Sequence, residues 1–294
     1  ATHASEPVAE KLITDFWQAP DTALNTDEEV RYGRNLIAHT AEYLGPKGRV
    51  MQLTNGMNCQ NCHLDAGTKI FGNNYSAVAS TYPKFRPRSG TKESIEKRVN
   101  DCMERSLNGR ALADESREMK AIVAYIKWLG REVPKGESPK GVGLVDVPFI
   151  DRPADPARGK LVFEGKCKTC HGASGQGLAD STQTAYIYPP LWGAHSYNTG
   201  AGLLRLSRFA GYVKANMPFG TTYTQPQLTD EEAWDVAAYI CAQPRPAKKF
   251  AGDWPDVSKK PFDFPFGPYS DSFTEAQHKF GPYNDMPSAQ QKHK

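Results

Sequence analysis

An all-α fold of two tandem modules is predicted by three features: a pentapeptide that occurs twice, similar helical patterns around each copy, and a Pro- and Gly-rich stretch between them. The pentapeptides are CQNCH (Cys59, Cys62, His63) and CKTCH (Cys167, Cys170, His171). C-x-x-C-H is the attachment signal of a c-type heme: the two thiols form thioethers with the vinyl groups, and the histidine becomes the proximal iron ligand. Two copies, with no further Cys-x-x-Cys to complete a zinc set, predict two covalently bound hemes c. The modules are therefore read as class I cytochrome c-type domains.

The elements follow in order. Residues 5–17 have a helical pattern. TDEE (Thr26 to Glu29) is a capping-box signature opening VRYGRNLIAHTAEYLG, a helix whose Gly33 and Ile37 recur as Gly159 and Phe163 in ARGKLVFEGK, just before the second motif. Each module closes with an amphipathic helix carrying AYI on its apolar face, over 116–130 and 229–243, the second behind a Thr229/Glu232 capping box. A glycine where the first and last helices of a module cross permits close backbone approach. These boundaries give an N-terminal domain over 1–135, a linker over 136–156 and a C-terminal domain over 157–245. The tail over 246–294 is rich in proline and aromatics, which disordered chains usually lack, and predicts an extended segment packed over the domains, with no chemistry assigned to it.

The 294 residues are 23% charged and 39% hydrophobic with a net charge of +3, too little to argue for nucleic acid. No run reaches the ~18 apolar residues of a membrane span. Heme c is attached outside the cytoplasm, so an exported, periplasmic protein is expected, its start ATHASEPVAEK being read as that of a mature chain.

The sixth ligand of each heme sets its redox role. For the second heme, Met217 in VKANMPFG has the Met-Pro setting of a cytochrome c distal loop, with His195 and Lys214 as weaker rivals. The first module has no Met-Pro. Its candidates are Cys102, Met103, Met119 and His39. Residues 91–107 read as one helix, on which Arg98, Cys102 and Ser106 are spaced four apart and share a face, while Met103 points about 100° away. A guanidinium favours thiolate over thiol, and thiolate is the ligating form. From Lys84 to Arg110, eight Lys or Arg face four acids. Arg98 and Arg88, the latter in FRPRSG just before the helix, are arginine forks suited to an oxyanion. A thiolate-ligated heme beside arginines and a hydroxyl suggests redox chemistry on a small sulfur or nitrogen oxyanion. The sixth cysteine, Cys241, reads as a buried free thiol, with a Cys102–Cys241 disulfide as the alternative.

RVNDCMERSLNGRAL, the AYIKWL helix, YPPLWGAHSYNTGAG and NMPFG together resemble the diheme c-type thiosulfate dehydrogenases, also called tetrathionate synthases, some of which act as tetrathionate reductases. The resemblance spans about residues 25–245. It implies coupling of two thiosulfates into tetrathionate with release of two electrons, or the reverse. It implies His63 and Cys102 as ligands of the active-site heme, with Arg88, Arg98 and Ser106 binding the oxyanion. His171 and Met217 would hold the second heme, which passes electrons to an external acceptor such as a small electron-carrier cytochrome. Some relatives carry a lysine before the methionine that exchanges with it as ligand. Asn216 stands there, which predicts stable His/Met ligation. The mechanism this suggests makes Cys102 a nucleophile that carries the first thiosulfate covalently until a second displaces it. The competing reading is a diheme electron carrier with Met103 on the first iron and no substrate.

Overall fold

A computed structural model describes residues 15–21, 23 and 27–287. The predicted helix over 5–17 lies mostly outside them. Its described end is not helical: Phe16 forms a parallel bridge with Lys140, and Trp17 N–H donates to the Lys140 carbonyl at 3.1 Å.

Helices dominate. In the first module they are α1 (Glu28–Ala38), α2 (Thr40–Leu44), α3 (Leu64–Gly67), α4 (Val78–Thr81), α5 (Ile95–Arg105) and α6 (Arg117–Leu129). In the second they are α7 (Pro156–Lys166), α8 (Lys168–His171), α9 (Leu206–Asn216) and α10 (Asp230–Cys241), and α11 (Glu275–Phe280) lies in the tail. Two small antiparallel ribbons accompany them: β1 (Lys84–Arg86) with β2 (Thr91–Glu93), and β3 (Leu178–Ala179) with β4 (Tyr186–Tyr188).

The two modules repeat one crossing. A Cβ on Gly33 would come 1.9 Å from the Ala121 carbonyl oxygen, and one on Gly159 would come 1.8 Å from that of Asp235. Only glycine lets α1 meet α6, and α7 meet α10, this closely. Beside the glycines Ile37 and Phe163 are fully buried. Around each crossing lies a separate core, one holding Leu36, Met119, Tyr125 and Ile126, the other Trp192, Phe209, Trp234 and Ile240.

Capping explains the helix starts. The predicted Thr229/Glu232 box opens α10, with each side chain accepting from the other's backbone N–H. At α1 the cap is Asp27, whose carboxylate accepts from Glu29 and Val30 N–H; Thr26 lies outside the described residues. The helix predicted over 91–107 is shorter. Thr91–Glu93 pair with Lys84–Arg86 as β2, and the Ser94 hydroxyl accepts from Lys97 N–H to start α5 at Ile95. A serine cap inside an apparently helical run decided that boundary.

The stretch between modules is a wall, not a spacer. Gly141 and Gly143 carbonyls accept from Phe71 and Asn73 N–H, while Leu144 and Val147 are buried in the second core. The tail is largely extended, interrupted by a 3-10 turn (Val257–Lys259) and α11. Phe262, Tyr283 and Met286 complete the second core, and the buried Asp263 carboxylate binds Arg205 and Ser207. Among the described residues no helix is long and apolar enough to cross a membrane.

Candidate active site and heme cavities

A cavity of about 330 Å³ lies in the first module. Cys59, Cys62 and His63 line it together with Arg98, Cys102 and Ser106 of the α5 region, and Ile37, Tyr75, Ile122 and Ile126 give it apolar walls. Ser138, Val142 and Gly143 of the inter-module stretch close it. The His63 ring is fixed twice: Nδ1 donates to the Asn73 carbonyl at 2.7 Å, and the ring stacks on Tyr75 with centroids 4.6 Å apart. A carbonyl can only accept, so Nδ1 carries a proton and Nε2 is the atom turned toward a ligating role. Gly67 makes room for this stack, since a Cβ there would meet the Tyr75 ring at 2.1 Å.

In the same cavity, Arg98 Nη1 donates to Cys102 Sγ at 3.1 Å. Burial raises the Cys102 thiol, but the Arg98 charge, with His63 as a further neighbour, outweighs it and lowers the pKa to about 6. The thiols of Cys59 and Cys62 respond oppositely, pushed by burial to about 11 and about 12. The Cys102 thiolate in turn raises the Arg98 pKa. The thiolate-favouring position is therefore local to Cys102, one helical turn from its guanidinium. Met103 also touches the cavity but is buried in the first core, Met119 is fully buried core, and His39 is exposed.

The structure does not bring Arg88 to the cavity with the others. Arg88 donates to the Gly200 carbonyl at 3.0 Å and lies over the Trp254 ring, 5.5 Å from its centroid. Burial and repulsion from Arg105 lower its pKa to about 10, with Arg98 a further repelling charge. Lys84, counted in the basic run but not singled out, does line the cavity. Strand alternation in β1 puts Lys84 and Arg86 on one face and leaves Phe85 62% exposed on the other.

The second cavity, about 460 Å³, is lined by Cys167, Cys170, His171 and Met217 with Leu203, Phe209, Tyr212, Val213 and Ile240. His171 repeats the arrangement of His63: Nδ1 donates to the Pro189 carbonyl at 2.9 Å, and burial lowers the ring's pKa. The rivals of Met217 lie elsewhere. His195 is exposed, and Lys214 is bound to the Leu228 carbonyl and Asp230. Asn216 donates to the Phe71 carbonyl of the first module at 3.0 Å, and the Tyr212 hydroxyl donates to the Asn61 carbonyl at 2.6 Å. Cys62 lines both cavities, so the two centres share a wall. Each cavity thus offers two thiols, an oriented imidazole and a further sulfur between apolar walls. That donor set fits a thioether-anchored heme with two axial ligands.

Residues 50–134 match the family model "SoxA/TsdA, cytochrome c domain", and residues 156–243 match "Cytochrome c". A thiosulfate dehydrogenase of Psychrobacter arcticus is 38% identical over 244 residues, covering 81% of this chain and 71% of the relative. One from Allochromatium vinosum is 36% identical over 249 residues, covering 83% and 88%. The chain belongs to the diheme thiosulfate dehydrogenase family. A solved thiosulfate dehydrogenase, TsdBA from Marichromatium purpuratum, superposes with a TM-score of 0.72 at 31% identity. The match covers 79% of this chain but spans only half the length of that one. The all-α pair of cytochrome c domains and the two hemes c predicted from the repeated motif agree with these relatives.

Cys241 is free and half-buried, its thiol pushed by burial to about 12, and Cys102 is free as well. Cys102 lines the first cavity and Cys241 a different one beside Arg245 and Asp263, and no disulfide joins them in this structure.

Proposed function

We propose that this protein is an exported, periplasmic enzyme that couples two thiosulfates into tetrathionate and passes two electrons to an external carrier, a reaction it also runs in reverse. The observation that carries this reading is the Arg98–Cys102 contact in a cavity that also holds His63 and Ser106. In this scheme Cys59 and Cys62 would anchor the first heme, with His63 and Cys102 holding its iron, and Cys167, Cys170, His171 and Met217 would do the same for the second. Bound there, the hemes supply one-electron acceptance.

The chain's own residues do the rest. Arg98 keeps Cys102 as a thiolate and offers its remaining N–H groups to a sulfonate; Ser106 adds a hydroxyl. Arg88, close enough to Arg98 for their charges to interact, helps offset two dianions that otherwise repel each other. A bond forms between Cys102 Sγ and the outer sulfur of thiosulfate, two electrons leaving for the acceptor. A second thiosulfate attacks that outer sulfur, the Sγ–S bond breaks, tetrathionate departs and the thiolate returns. No proton is consumed, so an arginine, permanently charged, serves better here than an acid or base.

Electron exit is assigned to the second module. Phe219, beside Met217 and 90% exposed, and Ile187, 57% exposed, rim its cavity and form an apolar contact for a small electron-carrier protein. The test is thiosulfate-dependent reduction of ferricyanide measured beside tetrathionate reduction with a dithionite-type donor. Activity in either assay supports the enzyme; heme reduction that ignores thiosulfate would favour a plain electron carrier.

A further inference from the structure

Residues 246–255, which the sequence left without a role, cross from the second module onto the arginines of the first. Asp253 binds Arg105 through two hydrogen bonds of 2.7 Å, and its Oδ2 lies 4.0 Å from Arg88 Nε. The pair is enclosed: side-chain exposure is 8% for Arg105 and 19% for both Arg88 and Asp253. Trp254 N–H donates to the Arg88 carbonyl at 2.6 Å, and its ring faces the Arg88 guanidinium. The Pro255 ring fills the space beside Gly90, where a Cβ would meet it at 2.6 Å. Phe250 stacks under the Arg105 guanidinium at 3.7 Å. Lys248 Nζ donates to the Glu104 and Gly109 carbonyls, and Asn198 of the second module donates to those of Glu104 and Arg105. The end of α5, which carries Cys102 and Ser106, is thus capped from outside its own module.

Three guanidiniums, Arg88, Arg98 and Arg105, stand near one helix, which sets the Cys102 thiolate against Arg98 and Asp101 against Arg105 but offers Arg88 no hydrogen-bonded counter-charge. Left alone, Arg88 and Arg105 would repel, and a long side chain on a loop would turn to water. Asp253 sits against both, and Trp254 fixes the loop that bears one of them.

We propose that the 250–255 strap is part of the substrate site, with Asp253 the positioning residue that holds Arg88 in the cationic cluster beside Cys102. This rests on the function proposed above, through the role given there to Arg88. The strap does not touch substrate; it sets where the second positive charge stands when two dianions meet.

The test uses the intact diheme protein and two readouts: the KM and kcat of thiosulfate oxidation, and calorimetric binding of tetrathionate measured with each variant placed in a Cys102→Gly background, where neither turnover nor a covalent adduct forms. Asp253→Asn is expected to raise both KM and the tetrathionate Kd about tenfold, the scale of losing one partly screened counter-charge 4.0 Å from Arg88, with kcat within about twofold. Because Asp253→Asn breaks a buried pair and threatens folding, Trp254→Ala, which leaves that pair intact, is measured alongside and is expected to move the same two quantities in the same direction. Arg88→Ala combined with Asp253→Asn should bind no more weakly than Arg88→Ala alone, since one residue acts through the other. A strap that only stabilises the fold lowers the melting temperature and leaves Kd and KM unchanged; that result overturns the inference. If Arg88→Ala weakens binding and neither strap variant does, the inference falls and the proposed site stands. If Arg88→Ala itself changes nothing, the role given to Arg88 in the proposed function fails, and the inference with it.

Discussion

Replacing Arg98 by Gln removes one charge next to one sulfur and keeps much of the side-chain volume. The contact is short, 3.1 Å from Nη1 to Sγ, on a guanidinium lining the same cavity as His63. At that separation and an effective dielectric near 20, the gross attraction is about 5 kcal/mol. Desolvation of both groups offsets much of this, and a charge-assisted hydrogen bond nets about 1.5–3 kcal/mol. The variant should therefore lose about 10- to 150-fold in kcat/KM for thiosulfate. Arg98→Lys separates two contributions. A single ammonium can face either Cys102 or a sulfonate, so it should recover part of kcat and little of KM. Steady-state oxidation with ferricyanide measures both variants, and the heme spectra report whether the sites are assembled. A kcat/KM for Arg98→Gln within about threefold of the parent, with intact spectra, would refute the assignment of Arg98 to this thiolate.

Three other outcomes follow. Gly159→Ala places a methyl 1.8 Å from the Asp235 carbonyl, so α7 and α10 must separate; overpacking of about 1–3 kcal/mol should lower the melting temperature by about 2–12 °C in a thermal scan. Asp263 is buried, which raises its pKa, yet Arg205 and Ser207 outweigh this and lower it. Its stabilisation is thus present above the unfolded carboxyl range near 4 and lost as pH falls through the depressed folded value; acid titration of Asp263→Asn should show a weaker dependence in that window and a protein about 3–5 kcal/mol less stable at neutral pH. Phe219→Asp should slow electron delivery to a small protein acceptor several-fold and leave ferricyanide reduction unchanged, because only the protein needs the apolar rim.

What was legible in the sequence is what neighbours in the chain determine. The repeated C-x-x-C-H, the Gly33 and Gly159 crossings, the Thr229/Glu232 cap and the alignment of Arg98 with Cys102 all depend on spacings of a few residues, where periodicity and capping chemistry act. That Cys102 and Met103 point in different directions was readable for the same reason, since one helical step separates them. Thr91–Glu93 misled because a charged run continuous with a helix carries no local sign that it pairs as a strand; only the Ser94 cap hinted at the break. Arg88 belongs to the other kind. Its place depends on Gly200 and on Asp253 and Trp254, far along the chain, and no periodicity reports on such contacts. The tail was readable as packed, from its aromatics, but the surface it packs on was not. The part Val142 and Gly143 play in closing the first cavity was hidden equally, because a Pro- and Gly-rich stretch looks like a spacer whether or not it is one.

The central claim is that Cys102 is the nucleophile for sulfur–sulfur bond formation, and Cys102→Gly tests it most directly. Thiosulfate oxidation and tetrathionate reduction are measured on the variant with both hemes attached, beside mass spectrometry of the parent after limited exposure to tetrathionate. The account predicts loss of both activities in the variant, and in the parent an adduct of one thiosulfate equivalent on Cys102. Full turnover in either direction by Cys102→Gly would contradict it.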